Sequence, residues 1–191
     1  MTMRNLLSIL AIAAPVTLAQ TLTPIDRFSI YEQMSLHQTY IDNDQTCANG
    51  HLYADLYWPE ASFRVIDPNR DSTVTGHKEI RGNFDYAHSV FPLYMWFHSV
   101  GAFKINPAET GPDGELRANA FWQWRVDWKA NASGVVSTGT YTDVFEKRGE
   151  DWKVLTRVSR DDPNWPLYLF APYAANADDL FQSSCGDTSL G

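Results

Sequence analysis

Residues 116–160 read LRANAFWQWRVDWKANASGVVSTGTYTDVFEKRGEDWKVLTRVSR. Three runs rich in aromatic and β-branched residues, Leu116 to Trp128, Val135 to Lys147 and Trp152 to Arg160, are parted by Asn131 to Gly134 and by Arg148-Gly149-Glu150. Such composition between turn residues predicts strands, and connections this short make successive strands antiparallel neighbours. A fourth run, Leu93 to Ile105, precedes them across Asn106-Pro107 and Gly111-Pro112-Asp113-Gly114.

Upstream the period changes. Ile30, Met34, His37 and Ile41 recur at helical spacing between Pro24 and Asp42, which predicts an amphipathic helix. A shorter helix carries Leu52, Leu56 and Tyr57 and stops at Pro59. Ser62 to Ile66 and Thr73 to Gly76 read as short strands, and His77 to Phe91 as a third helix through Ile80, Phe84 and Ala87, ended by Pro92. Helices first and a long sheet afterwards define an α+β domain in which three N-terminal helices cover one face of a curved antiparallel sheet. A strongly bent sheet closed by helices makes a cone with one pocket inside.

The chain's first twenty residues have the order of a secretory signal. Arg4 precedes the apolar run Leu6 to Ala14, and Thr17-Leu18-Ala19 supplies small residues before a cut after Ala19. The expected organisation is therefore 1–19 signal peptide, 20–162 folded domain and 163–191 a Pro- and Ala-rich tail. The mature chain of about 170 residues suits a single domain with one core. It is expected to be secreted, with no membrane association after cleavage, because no later stretch approaches the ~20 apolar residues of a spanning helix. Of all 191 residues, 44% are hydrophobic and 14% aromatic, enough to bury that core. A formal charge of -8 without a basic cluster argues against nucleic acid as a partner.

Cys47 and Cys185 are the two cysteines, and in an oxidising compartment they are expected to pair. Closing so long a loop would stabilise by roughly 4–5 kcal/mol in the chain-entropy view. Asn131-Ala132-Ser133 is a glycosylation sequon in an expected surface turn. No HExxH, paired-cysteine or facial-triad spacing appears, so no metal is expected. No Gly-rich phosphate loop follows a strand, and no cofactor is expected.

Strand parity puts Tyr94, Trp96, His98, Val100 and Ala102 on one face. His98 among such neighbours is either a core histidine held by one hydrogen bond or a general acid or base, for which its ordinary pKa suits it. Gly139, Tyr141 and Asp143 share a face of a later strand. Tyr141 is either a donor to a developing oxyanion or a core tyrosine whose hydroxyl meets Arg157. Asn119, Gln123, Arg125 and Asp127 alternate with Trp122, Trp124 and Trp128, and parity alone does not say which face is the interior.

In Ala54-Asp55-Leu56-Tyr57 leading to Glu60-Ala61, Gly76 before the third helix, His98, and Gly139 to Asp143 followed by Gly149 and Trp152-Lys153-Val154, the chain resembles the nuclear transport factor two-like superfamily. The likeness is to its SnoaL-like branch, which includes scytalone dehydratase. The resemblance spans about Ile25 to Arg160 and implies the cone-shaped fold. It also implies a carboxylate at the inner end of the first helix, Asp42 with Asp44 as the competing choice, working with His98 on a hydrophobic small molecule.

On this reading Asp42, His98 and Tyr141 are the catalytic candidates. Tyr94, Trp96, Gln123, Arg125 and Asp143 are the substrate contacts, and Trp165 and Phe170 belong to a lid formed by the tail. The implied activity is a cofactor-free dehydratase, cyclase or isomerase acting on a polyketide- or terpenoid-like molecule. The alternative is a secreted, non-catalytic binding or interaction protein using the same cavity. A second copy pairing through an exposed sheet is also implied. The sequence departs from the dehydratase in lacking a histidine on the strand around Trp122, in having Tyr141 near the asparagine position and in having Ile41 before the aspartate, so scytalone itself is not the expected substrate.

Overall fold

The computed structural model describes residues 21–43, 50–68, 70–90, 96–128 and 135–163. Cys47, Cys185, Asn131, Asp44, Tyr94, Trp165 and Phe170, together with the expected signal peptide and most of the tail, lie outside those residues. Three helices, α1 (Pro24–Asn43), α2 (Gly50–Ala54) and α3 (Gly76–Val90), accompany six strands. The strands are β1 (Tyr57–Asp67), β2 (Arg70–Thr75), β3 (Trp96–Pro107), β4 (Arg117–Trp128), β5 (Val135–Arg148) and β6 (Asp151–Asp161). They form one curved sheet in the order β2-β1-β6-β5-β4-β3. The architecture is the α+β arrangement expected.

The long strands β3 to β6 pair antiparallel in sequence order, as their short connections require. The β1–β6 pair is parallel, so the sheet is mixed rather than wholly antiparallel. That pairing follows from the helical excursion of α3 and the return of the chain through β3, β4 and β5 before β6 reaches the edge of β1.

Pro59 does not end a helix. It lies inside β1, where the pairing with β6 is irregular between Tyr57 and Ser62. Proline cannot donate to a ladder and is tolerated at such an irregularity. The strand therefore begins at Tyr57, five residues earlier than the β-branched run suggests, and Tyr57 is a sheet residue.

Helix α1 lays Ile30, Met34, His37, Gln38, Ile41 and Asp42 inward, all buried at the three-and-four spacing of one helical face. Burying the two apolar groups Ile30 and Met34 contributes roughly 1.5–3 kcal/mol each relative to exposure. The helix starts with a reciprocal cap. Thr23 Oγ1 accepts the Asp26 N–H (3.1 Å), and Asp26 Oδ2 accepts the Thr23 N–H (2.9 Å). Asp26 Oδ1 reaches across to the last hairpin, accepting from Trp152 Nε1 (3.0 Å) and Lys147 Nζ (3.2 Å).

Burial alone would raise the Asp26 pKa, but these donors more than offset it and hold the carboxyl well below the usual carboxylate range. A folded-state pKa below the unfolded one stabilises above the unfolded value of about 3.9, and that contribution declines as pH falls from there and is lost as pH passes the folded value. The urea midpoint is thus expected to fall between pH 5 and pH 3. Asp26→Asn should lower it at pH 6 and flatten that slope; an unchanged slope would remove Asp26 from the acid response.

In the sheet's inner face, register sets the layers. His98, Val126 and Ser137 lie opposite one another, then Val100, Trp124 and Gly139, then Trp122, Tyr141 and Ser159, then Ala120, Asp143 and Arg157. Gly139 is required by close approach: a Cβ there would overlap the Trp124 indole and the Arg160 carbonyl. No helix among the described residues is long and apolar enough to cross a membrane.

Candidate active site

Asp42 is buried at the last turn of α1, and His98 is the third residue of β3. Asp42 Oδ1 and Oδ2 lie 3.0 and 2.9 Å from the His98 backbone N–H, and His98 Nδ1 lies 2.5 Å from Asp42 Oδ1. An ionised carboxylate only accepts, so Nδ1 carries the proton and donates it to Asp42. With Nδ1 so engaged, Nε2 is the ring nitrogen left to exchange a proton with a substrate. A carboxylate that fixes the tautomer of an imidazole and stands ready to stabilise its cation is the arrangement general-base histidines use. Helix end and strand meet here because α1 crosses the inner face beside β3 with its 34–38–42 face turned inward.

Tyr141 is half-buried in the aromatic interior, its ring 4.5 Å from Trp122, 5.2 Å from His37 and 6.0 Å from Trp124. Burial raises its pKa, keeping the phenol neutral. Its expected hydroxyl contact with Arg157 is replaced by a stacked one, with the guanidinium 4.6 Å above the Tyr141 ring centre. The phenol that accepts from Arg157 Nη1 is that of Tyr57, at 2.8 Å.

Three expected substrate contacts fall elsewhere. Asp143 is fully buried with both oxygens occupied: Oδ1 accepts from Arg157 Nε (2.8 Å), and Oδ2 from Arg157 Nη2 (2.8 Å) and Trp122 Nε1 (2.7 Å). It anchors the core rather than facing a ligand. Gln123 and Arg125 are exposed, because Ala118, Ala120, Trp122, Trp124 and Val126 take the inner face of β4 and the intervening residues must point outward. Arg125 forks onto Asp127 on that outer surface. Trp96 opens β3 opposite Trp128. No group of three or more potential metal ligands occurs among the described residues.

The residues the sequence reading passed over are polar and central. His37 falls in the apolar spacing of α1, yet its Nε2 lies 2.9 Å from the Tyr53 hydroxyl, which lies 3.2 Å from that of Tyr57. The signal was an imidazole on a helix face otherwise made of Ile and Met. Arg157 points inward because Leu155 is an extra residue in β6: Phe145 pairs with Val154 but Val144 with Thr156. Such a bulge resets strand alternation, so Val154 and Arg157 both face the core.

No known family profile matches the chain, and no curated protein matches it. Solved structures do. A Nostoc punctiforme protein of unknown function with a cystatin-like fold superposes with a TM-score of 0.62 at 16% identity, covering 78% of this chain and 99% of that one. A nuclear transport factor two-like protein with a cystatin-like fold from Novosphingobium aromaticivorans gives 0.58 at 16% identity, covering 83% and 90%. A protein from the same organism provisionally named a scytalone dehydratase gives 0.52 at 15% identity, covering 72% and 85%. At these identities the likeness is one of fold. The fold is nuclear transport factor two-like, of the cystatin-like kind.

Proposed function

We propose that the protein is an acid–base enzyme, a dehydratase, cyclase or isomerase acting on a hydrophobic polyketide- or terpenoid-like molecule, with His98 as the base and Asp42 behind it. The observation that carries this reading is the Asp42–His98 contact: a non-catalytic carrier needs no buried carboxylate fixing the tautomer of an imidazole. The dehydratase name of one structural neighbour supports the same class of chemistry.

In a β-hydroxy ketone, His98 Nε2 would take the proton from the carbon beside the carbonyl, leaving an enolate. Collapse of the enolate forms the C=C bond as the β-hydroxyl departs, and the imidazolium returns its proton to that leaving oxygen, releasing water. Proton and electron pair balance within the substrate and the one side chain. Isomerisation uses the same first step and returns the proton to a different carbon. Asp42 stabilises the imidazolium between the two transfers.

Small-molecule binding in the interior, the lid formed by Trp165 and Phe170, and secretion are parts of the same proposal. Comparing metabolites of the source strain with and without the gene tests it. A hydrophobic hydroxy-ketone intermediate accumulating in the deletion strain, and restored by wild-type protein but not by His98→Asn, is the expected result. Restoration by His98→Asn would favour a carrier.

A further inference from the structure

The core contains a hydrogen-bond chain whose direction is fixed by chemistry. Arg157 can only donate, so the Tyr57 oxygen accepts from it. Tyr57 must place its own proton, and among the described residues the available acceptor is the Tyr53 oxygen. Tyr53 then gives its proton to His37 Nε2. The reverse polarity would have Tyr57 accept twice and leave its hydroxyl hydrogen with no acceptor. Burial keeps both phenols neutral, which preserves the chain. Burial, with Arg157 and His98 nearby, likewise keeps the His37 ring neutral.

The ring proton of His37 therefore sits on Nδ1. That atom is buried in a side chain with 0% exposure and has no hydrogen-bond partner among the described residues. Trp124 Nε1, which can only donate, is buried and likewise unpartnered among the described residues. Native cores rarely leave buried donors unmet, and each such donor calls for an explanation. Both rings pack against Tyr141. Trp124 is the diagonal cross-strand neighbour of His98 on the same sheet face, since His98 pairs with Val126 and Val100 with Trp124. His37 precedes Asp42 by five residues, about 7.5 Å along the helix axis. The orphaned donors thus belong to the same interior as the Asp42–His98 pair, one on the inward face of α1 and one on the inner face of β4.

We propose that His37 Nδ1–H and Trp124 Nε1–H form a donor pair for an anionic oxygen, an enolate or phenolate, on an otherwise apolar planar ligand. This deepens the proposed function, on which its catalytic meaning rests: the pair would hold the oxygen that becomes negative when His98 removes the neighbouring carbon's proton. Donors left unmet until that oxygen arrives are aimed at charge that develops during the reaction. In this proposal the two rings packed on Tyr141, rather than its own hydroxyl, supply the oxyanion donors.

The test uses the full chain, 15N-labelled, with 4-nitrophenolate and 4-nitrotoluene as probes of matched shape at pH 8.5. In the free protein, His37 should show a protonated Nδ1 and an unprotonated Nε2. Phenolate should bind at least tenfold more tightly than nitrotoluene and shift both the His37 Nδ1–H and Trp124 Nε1–H resonances downfield, as charge-assisted hydrogen bonds do. His37→Phe and Trp124→Phe should each reduce the preference about tenfold, while His98→Asn should keep it. That last arm separates this proposal from the base assignment, because loss of turnover in His98→Asn with retained phenolate preference leaves the donor pair standing. The wild-type spectra decide even if a variant fails to fold. His37 protonated on Nε2, binding of neither probe, equal binding of both, or donor resonances unmoved by phenolate would overturn the proposal.

Discussion

Replacing Arg157 with methionine is expected to lower folding stability by about 3–5 kcal/mol, the range for stranding one charge of a buried pair. Arg157 is 1% exposed and Asp143 0%. Burial pulls the guanidinium pKa down, but Asp143 foremost, with Tyr57, more than offsets this and holds it well above the ordinary value. Without it, Asp143 keeps the Trp122 indole N–H and loses both guanidinium bonds in a site that water does not reach. Tyr57 also loses its donor, and with it the first link of the chain to His37. Arg157→Met with Asp143→Leu should recover part of the loss, since an apolar pair of similar volume often replaces an ion pair without penalty. Urea denaturation of the wild type and these two variants measures this. A single-mutant loss under about 1 kcal/mol would mean that the pair is water-accessible and worth no more than a surface bridge.

His98→Asn and Asp42→Asn are each expected to reduce turnover by about 10²–10⁴, with the double variant little worse than either single. The near-identity follows from their acting as one unit: asparagine at 42 no longer fixes the His98 tautomer, and asparagine at 98 leaves the carboxylate with nothing to orient. Asp42→Asn should retain somewhat more activity, because the imidazole remains and sometimes adopts the productive tautomer. Purified proteins assayed on the metabolite that accumulates in the deletion strain give the comparison. Additive losses would show that the two residues act at separate steps.

The sheet of long strands was legible because its signals are local. Aromatic and β-branched runs between turn residues mark β3 to β6 with bounds differing by at most a few residues from those observed. The contact between Asp42 and His98 was legible from strand parity together with a family resemblance, neither of which suffices alone. What escaped the sequence depended on pairing. Pro59 reads as a helix stop in isolation and sits in a strand because the irregular pairing with β6 tolerates it. Leu155 reads as an ordinary strand residue, yet as the extra residue of a bulge it turns Arg157 inward.

Strand parity puts Asp143 on one face with Tyr141, but its partner lies 14 residues on, and no spacing rule says that the pair closes on itself. Gln123 and Arg125 could be put on one face of β4 but not on the inner or outer one, because a single strand's alternation has no sign until a neighbour supplies it. His37 is the most instructive miss. Its position matched the apolar stripe of α1, so the spacing was satisfied and the chemistry of the imidazole went unread.

The most direct test of the central claim, that His98 backed by Asp42 moves a proton from carbon, is deuterium uptake by a hydrophobic carbon acid. The measurement is the rate of exchange at C1 of 2-tetralone in deuterated buffer, followed by proton NMR with wild-type protein, His98→Asn and Asp42→Asn at equal concentration. The account predicts exchange well above the buffer rate with wild-type protein and a loss of about a hundredfold or more in both variants. Exchange at the buffer rate with wild-type protein, or acceleration that survives in His98→Asn, would contradict it.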